Sequence, residues 1–222
     1  MGLDMYLKRA PRYKGCNATD IYNIEVYISW RDDDNVRNKY TLKEWCGIDD
    51  KLLPSDEVIK YYEQYYTTKY YYWDTERNYG RGKIIEEVGY WRKANQIHNW
   101  FVENVQDGED DCGYYEVSAE QLKDLLDICK LIKSKCGLVS GKVKIGEHLE
   151  NGEWVADYED GMVVDNSYIA EEYLPTQSGF FFGSTDYDEW YMKDIDDTIA
   201  ILEKVLEETD FETQMVFYGS SW

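Results

Sequence analysis

Between positions 90 and 98 the chain places Tyr90, Trp91, Arg92, Lys93, Asn95, Gln96 and His98, a run with two cations, two amides, an imidazole and two large rings. Arginine offers a planar fork that matches phosphate and can stack on a base, and lysine offers a compact positive charge. The amides suit base or ribose edges, and an aromatic ring supplies a stacking face. These are the groups a nucleotide pocket uses. A plainer reading competes with it: such residues also cap helices, pack on sheets or pair with acids, and 45 Asp and Glu are available to Arg92 and Lys93. His98, beside an apolar stripe, reads first as a hydrogen-bonded core residue and second as a base or ligand.

A second candidate runs from Pro175 through Thr176, Gln177 and Ser178 to Phe180, Phe181 and Phe182, and on to Gly183, Ser184 and Thr185. Hydroxyls bracketing an aromatic run can donate to an anion while the rings wall a pocket. As plain structure, the glycines are turn residues and the phenylalanines are core. Acid pairs such as Glu86 with Glu87, or Asp186 with Asp188, are too abundant to mark acid–base or metal chemistry. No GxSxG elbow, Walker loop, dinucleotide glycine fingerprint or HExxH occurs. Gly80-Arg81-Gly82 is too short to count as a phosphate loop, although Arg81 could approach a phosphate closely.

Five cysteines, Cys16, Cys46, Cys112, Cys129 and Cys136, are scattered without a CxxC pair, and two histidines accompany them. No metal site and no cofactor is therefore expected, and the thiols read as reduced and mostly buried. A net charge of −21 argues against non-specific nucleic-acid binding, which needs a basic face. Its ordinary use is solubility; imitation of a phosphate rail fits less well, because the acids fall in short runs such as Asp32–Asp34 and Asp107–Asp111. No stretch approaches the roughly 18 apolar residues of a membrane helix, and the opening residues lack a basic region followed by an apolar run. A cytoplasmic protein without membrane attachment is expected.

The elements that must position these residues follow from pattern. Leu3–Leu7 alternates as a strand that ties down the N-terminus, and β-branched Thr19–Trp30 reads as a second strand ending at an acidic turn. TLKEWCG reads as a helical turn, Pro54–Glu57 starts a helix through VIKYYEQYY, TTKYYYWD reads as a strand, and Gly80–Gly82 as a loop. From Ile84 to Val105 the spacing of Tyr90, Ala94, Ile97, Phe101 and Val105 predicts one helix carrying the first candidate cluster. YYEV reads as a strand leading to Ser118, whose spacing from Gln121 predicts a capping box for a helix buried through Leu122, Leu125, Cys129 and Ile132. Residues 137–165 read as a hairpin around Asn151 and Gly152, or equally as an insert. SGFFFG reads as a strand, Thr185 or Asp186 as the cap of a helix with Ile195, Ile199, Leu202 and Leu206 inward, and QMVFY as a closing strand. The sum is a single α+β domain over 1–222, an antiparallel or mixed sheet covered by about three main helices.

Three stretches, MGLDMYL at the start, EVGYWRKANQIHNWF with DDCGYYEVS in the middle, and LPTQSGFFFGSTDYDEWY late, together resemble a widespread family of phage and prophage proteins that are generally uncharacterised. The resemblance spans the chain and implies a small accessory protein made in a bacterial cytoplasm, outside the virion. By analogy with small phage proteins that disarm host defence, it ranks first a homo-oligomeric sponge that sequesters a nucleotide immune signal of cyclic-nucleotide or ADP-ribose type. On that reading Tyr90 or Trp91 stacks on the base, Arg92 and Lys93 hold phosphate, and Asn95 and Gln96 read base or ribose edges. His98 meets phosphate or a ribose hydroxyl, and Thr176, Gln177 and Ser178 complete the site, from the same or a neighbouring subunit. The alternatives are an acidic inhibitor that binds a host defence protein and a nucleotide hydrolase using His98.

Overall fold

The computed structural model describes residues 2–32, 54–65, 71–74, 79–82, 84–150 and 152–222. In chain order the elements are β1 (Asp4–Pro11), α1 (Ala18–Asp32), α2 (Asp56–Tyr65), β2 (Tyr71–Asp74), β3 (Tyr79–Gly82), β4 (Glu86–Arg92) and α3 (Asn95–Val105). They continue with β5 (Tyr114–Glu116), α4 (Ala119–Lys135), β6 (Leu138–Glu150), β7 (Glu153–Val164), α5 (Ser167–Tyr173), α6 (Glu189–Glu208) and β8 (Gln214–Ser221). The fold is α+β. Its sheet is antiparallel throughout, in the order β4-β1-β8-β5, while β2 pairs with β3 and β6 with β7 as separate two-stranded ribbons.

Strand alternation divides the core between the two sheet faces. Leu3, Met5 and Leu7 of the first strand segment, Trp91 of β4, and Val216 and Tyr218 of β8 point to one face, where α3, α4 and α6 bury Ile97, Phe101, Leu122, Leu125, Cys129, Ile132, Ile195 and Leu202. Ala10, Met215 and Phe217 point to the other, under Ile21 and Ile24 of α1 and Val58 and Tyr62 of α2. The β8 segment Met215–Ser220 is therefore buried on both sides, which explains its nearly continuous apolar run. Helix α6 lies so close to β4 that a Cβ on Gly89 would stand 2.6 Å from Ile201, and Trp91 Nε1 donates to Thr198 Oγ1 at 2.9 Å across the same contact. The capping box of α4 forms as its spacing predicts: Gln121 N donates to Ser118 Oγ at 3.1 Å, and Ser118 N donates to Gln121 Oε1 at 2.9 Å.

Several expectations are corrected. Residues 18–32 form a helix, not a strand: Asp20 N donates to Asn17 Oδ1 and Asn17 N to Asp20 Oδ2, both at 2.9 Å, and this reciprocal cap starts a turn that carries Ala18, Ile21 and Ile24 inward at spacing three. The single helix expected over Ile84–Val105 is a strand, a two-residue corner and a helix. A four-residue offset is two strand repeats as well as about one helical turn, so Tyr90 and Ala94 fit both patterns. Residues 79–82 pair as a strand, with Arg81 opposite Tyr72, instead of looping. Residues 178–183 turn instead of extending, with Phe182 buried and Phe180 almost wholly exposed. The cap of α6 is Asp188, not Thr185 or Asp186. The fold class is as expected: six helices occur among the described residues, and the main helices α3, α4 and α6 cover one face of the antiparallel sheet. The turn expected at TLKEWCG and the start of TTKYYYWD lie outside the described residues.

Candidate functional site

The corner between β4 and α3 decides where the first candidate cluster points. On β4 the side chains alternate: Tyr90 faces out and its hydroxyl donates to Asp4 at 2.5 Å, Trp91 is buried on Thr198, and Arg92 faces out again. Lys93 turns the corner with φ 62°, a left-handed backbone that costs a non-glycine residue about 1 kcal/mol. Its N–H donates to Leu3 O at 2.8 Å, and its carbonyl accepts from Asn95 N at 2.9 Å. Helix α3 then begins without a side-chain cap on Ala94, leaving the positive end of its dipole beside Arg92 and Lys93.

Asn95 joins the two candidate segments. Its amide nitrogen donates to Phe182 O at 3.1 Å and Ser184 O at 2.7 Å, and its amide oxygen accepts from Gln177 N at 2.9 Å. A buried side chain on the first turn of α3 thus straps the 176–184 loop across the helix start. Thr176 Oγ1 donates to Thr185 O, and Gly183, at φ 93°, packs where a Cβ would come 3.1 Å from Lys93 Cβ.

These contacts enclose a pocket of about 310 Å³. Arg92, Lys93 and Gln96 line one side, Thr176, Gly183 and Ser184 form the loop wall, and Asp186, Asp188, Trp190, Tyr191 and Asp194 come from the start of α6. The carboxylates are already engaged by the protein. Asp188 accepts from Trp190 N at 2.9 Å and Tyr191 N at 3.1 Å, Asp186 accepts from Ser184 Oγ at 3.0 Å, and Asp194 accepts from Gln96 Nε2 at 3.1 Å. The cations are held more loosely. Arg92 makes one long ion pair, at 3.9 Å to Asp4, and Lys93 has no ion pair among the described residues. The Trp190 ring stands 65% exposed at the rim, available for stacking.

Of the residues expected at a site, the pocket brings together Arg92, Lys93, Gln96 and Thr176. Tyr90 and Trp91 are held by Asp4 and Thr198, Asn95 by the loop it straps, Gln177 donates its N–H to Asn95, and Ser178 is exposed outside the lining. His98 is fully buried in a different network. Its Nδ1 meets the Tyr218 hydroxyl at 2.7 Å and its Nε2 meets Asp110 at 2.9 Å, while Asp110 also accepts from Trp222 Nε1 at 3.0 Å. Burial foremost, and then the charge of Asp110, push the Tyr218 phenol far up, so it stays protonated. Sequence reasoning passed over Trp190, Tyr191 and Asp194. Tyr191, Asp194 and Thr198, spaced three and four apart beside the apolar stripe of α6, were the available sign of a polar seam on its inner side.

Burial raises the Asp194 carboxyl to about 6, against the opposing Gln96 hydrogen bond. An unfolded aspartate titrates near pH 3.9, so between about pH 4 and 6 the folded chain holds the extra proton and stability falls as pH rises. The difference of about 2 pH units corresponds to at most about 3 kcal/mol. Asp194→Asn keeps an acceptor for Gln96 and is expected to be more stable than the parent at pH 7 by about 1–3 kcal/mol. Denaturant unfolding at pH 4.5 and pH 7 checks this: the gain should shrink to about one third at the lower pH, and an equal effect at both would refute the assignment.

Compared with known proteins, the chain matches no protein-family model, no curated protein and no solved structure.

Proposed function

We propose that the chain binds a nucleotide-type small molecule in the pocket between β4, α3 and α6 and holds it unaltered. The observation that carries this is the imbalance of engagement: two cations without a close counter-ion stand beside an uncapped helix start, while every lining carboxylate already has a donor. In a chain of net charge −21, a place where cations remain available is a place suited to an anion. Arg92 and Lys93 would take phosphate oxygens, Trp190 a base face, and Gln96 and Thr176 the remaining polar edges. At about 310 Å³ the pocket lies at the small end of ligand sites and suits one nucleotide unit. A cyclic dinucleotide or ADP-ribose would leave its second half at the mouth. In the phage setting that the resemblance implies, such capture would withdraw an immune signal from a bacterial host.

Capture is favoured over the alternatives by where other residues sit. His98, the candidate base, is occupied by Tyr218 and Asp110. Within the acidic run expected to meet a host protein, Asp110 is engaged by His98 and Trp222, and Asp111, though exposed, already accepts from the Gly113 N–H and the Tyr115 hydroxyl. Equilibrium dialysis against 3′,5′-cyclic AMP, 3′,5′-cyclic GMP, cyclic di-GMP and ADP-ribose tests the proposal. Retention of one of them, recovered chemically intact after denaturation, is the expected result. Recovery as a cleaved product would replace capture by hydrolysis, with Asp194 the protonatable group in the lining.

A further inference from the structure

The β6–β7 ribbon raises a separate question. Twelve residue pairs run from Leu138 opposite Val164 to Glu150 opposite Glu153, with one irregularity between Lys144 and Gly146. Isolated two-stranded ribbons are marginal in water, because neither face is covered. Alternation along β7 sorts the two faces. Val164, Met162, Asp160, Tyr158, Ala156 and Trp154 share one face with their partners Leu138, Ser140, Lys142, Lys144, Glu147 and Leu149. Val163, Gly161, Glu159, Asp157, Val155 and Glu153 share the other with Val139, Gly141, Val143, Gly146, His148 and Glu150.

The faces differ in charge and in exposed apolar surface. On the second, four carboxylates stand with one histidine and no Lys or Arg. On the first, the two lysines are matched by two carboxylates, Lys142 with Asp160 at 2.7 Å and Lys144 with Glu147, so its charges cancel. The same face exposes Tyr158 by 59%, Leu149 by 61% and Trp154 by 70%. Large apolar side chains grouped on one solvent face mark a contact surface. Its neutrality indicates the partner. A basic partner would seek the acidic face, and an anionic lipid surface would be repelled by a chain of net charge −21. A second copy carries the same large negative charge, and this neutral face is where two such chains can meet without opposing like charges.

We propose that the face bearing Leu149, Trp154 and Tyr158 packs on the same face of a second copy in a two-fold symmetric contact. Twelve residues at about 3.3 Å each make a ribbon about 40 Å long, covering on the order of 400 Å² per copy. The total of about 800 Å² falls among weak, transient interfaces, so the dimer forms in the micromolar range instead of being obligate. The base of the ribbon adjoins the pocket: Val163 bridges to Asp188, and Val164 N donates to Tyr187 O at 2.9 Å. The dimer contact therefore grows from the same corner as the ligand site, although the inference does not depend on what the pocket binds.

Sedimentation equilibrium of the full chain from about 1 to 200 µM tests it. The parent is expected to pass from monomer to dimer across that range. Trp154→Lys combined with Leu149→Glu is expected to remain monomeric throughout, with an unchanged melting curve because both positions are exposed and, as cross-strand partners, now carry opposite charges. Glu153→Lys on the opposite face should still dimerise. A parent that stays monomeric, or a dimer that survives the double substitution, overturns the proposal. So does a monomeric parent whose ribbon instead binds neutral phosphatidylcholine vesicles.

Discussion

Replacing Arg92 and Lys93 together by alanine is expected to weaken nucleotide binding by about 10²–10⁴-fold, since each charge-assisted hydrogen bond to phosphate contributes about 1.5–3 kcal/mol. The fold should be unaffected. Both side chains are exposed, and the ion pair in which Arg92 takes part is long, at 3.9 Å to Asp4. Lys93→Gly sharpens the test. Glycine adopts a φ of 62° without strain, which offsets the entropy it adds to the unfolded chain, so stability should change by less than about 1 kcal/mol. Binding should nevertheless fall by at least about tenfold. A left-handed lysine kept at the rim of a pocket would then be strain held for the sake of its charge. Isothermal titration calorimetry with the retained nucleotide, together with a thermal melt, reads both quantities. Loss of binding accompanied by loss of fold would remove the functional meaning of the result.

Phe101→Ala is expected to cost about 3–5 kcal/mol and to lower the melting temperature by roughly 6–20 °C. Phe101 is fully buried, stacked on Tyr218 with centroids 4.0 Å apart and planes 8° from parallel, and set edge-on to Trp100 at 5.3 Å. It is the ring through which α3 seats on β8, so its loss leaves a cavity at the junction of helix and sheet. Tyr218→Phe should cost less, about 1–3 kcal/mol, because the ring stack survives and the partner left without its hydrogen bond is His98 Nδ1. Chemical denaturation of the two variants checks the ranking. A larger cost for Tyr218→Phe would place the main stabilisation in the buried polar network instead of the packed rings.

What could be read from the chain beforehand was mostly what depends on near neighbours in sequence. The Ser118–Gln121 box, the inward stripe of α6 and the hairpin before Asp165 are set by residues a few positions apart, and each forms where its pattern points. Failures came where two periods agree or where a third element decides. The β-branched run at 19–30 resembles a strand until the Asn17–Asp20 cap and the α1 packing of Ile21 and Ile24 are weighed. Tyr90–Ala94 fits helix and strand equally, and the sheet register with Asp4, Met5 and Tyr6 settles it. At the site, Arg92, Lys93, Gln96 and Thr176 could be proposed from residue type alone. Trp190 and Asp194 could not, because their place beside Lys93 follows from how α6 lies against β4 and from the loop that Asn95 straps, and neither is local in sequence.

Native mass spectrometry of the parent protein and the Arg92→Ala/Lys93→Ala variant, each mixed with the same four nucleotides, tests the central claim most directly. One nucleotide should add its intact mass to the parent in stoichiometric amount and leave the variant bare. A parent that takes up none of them, or a variant that binds as well as the parent, would contradict the account.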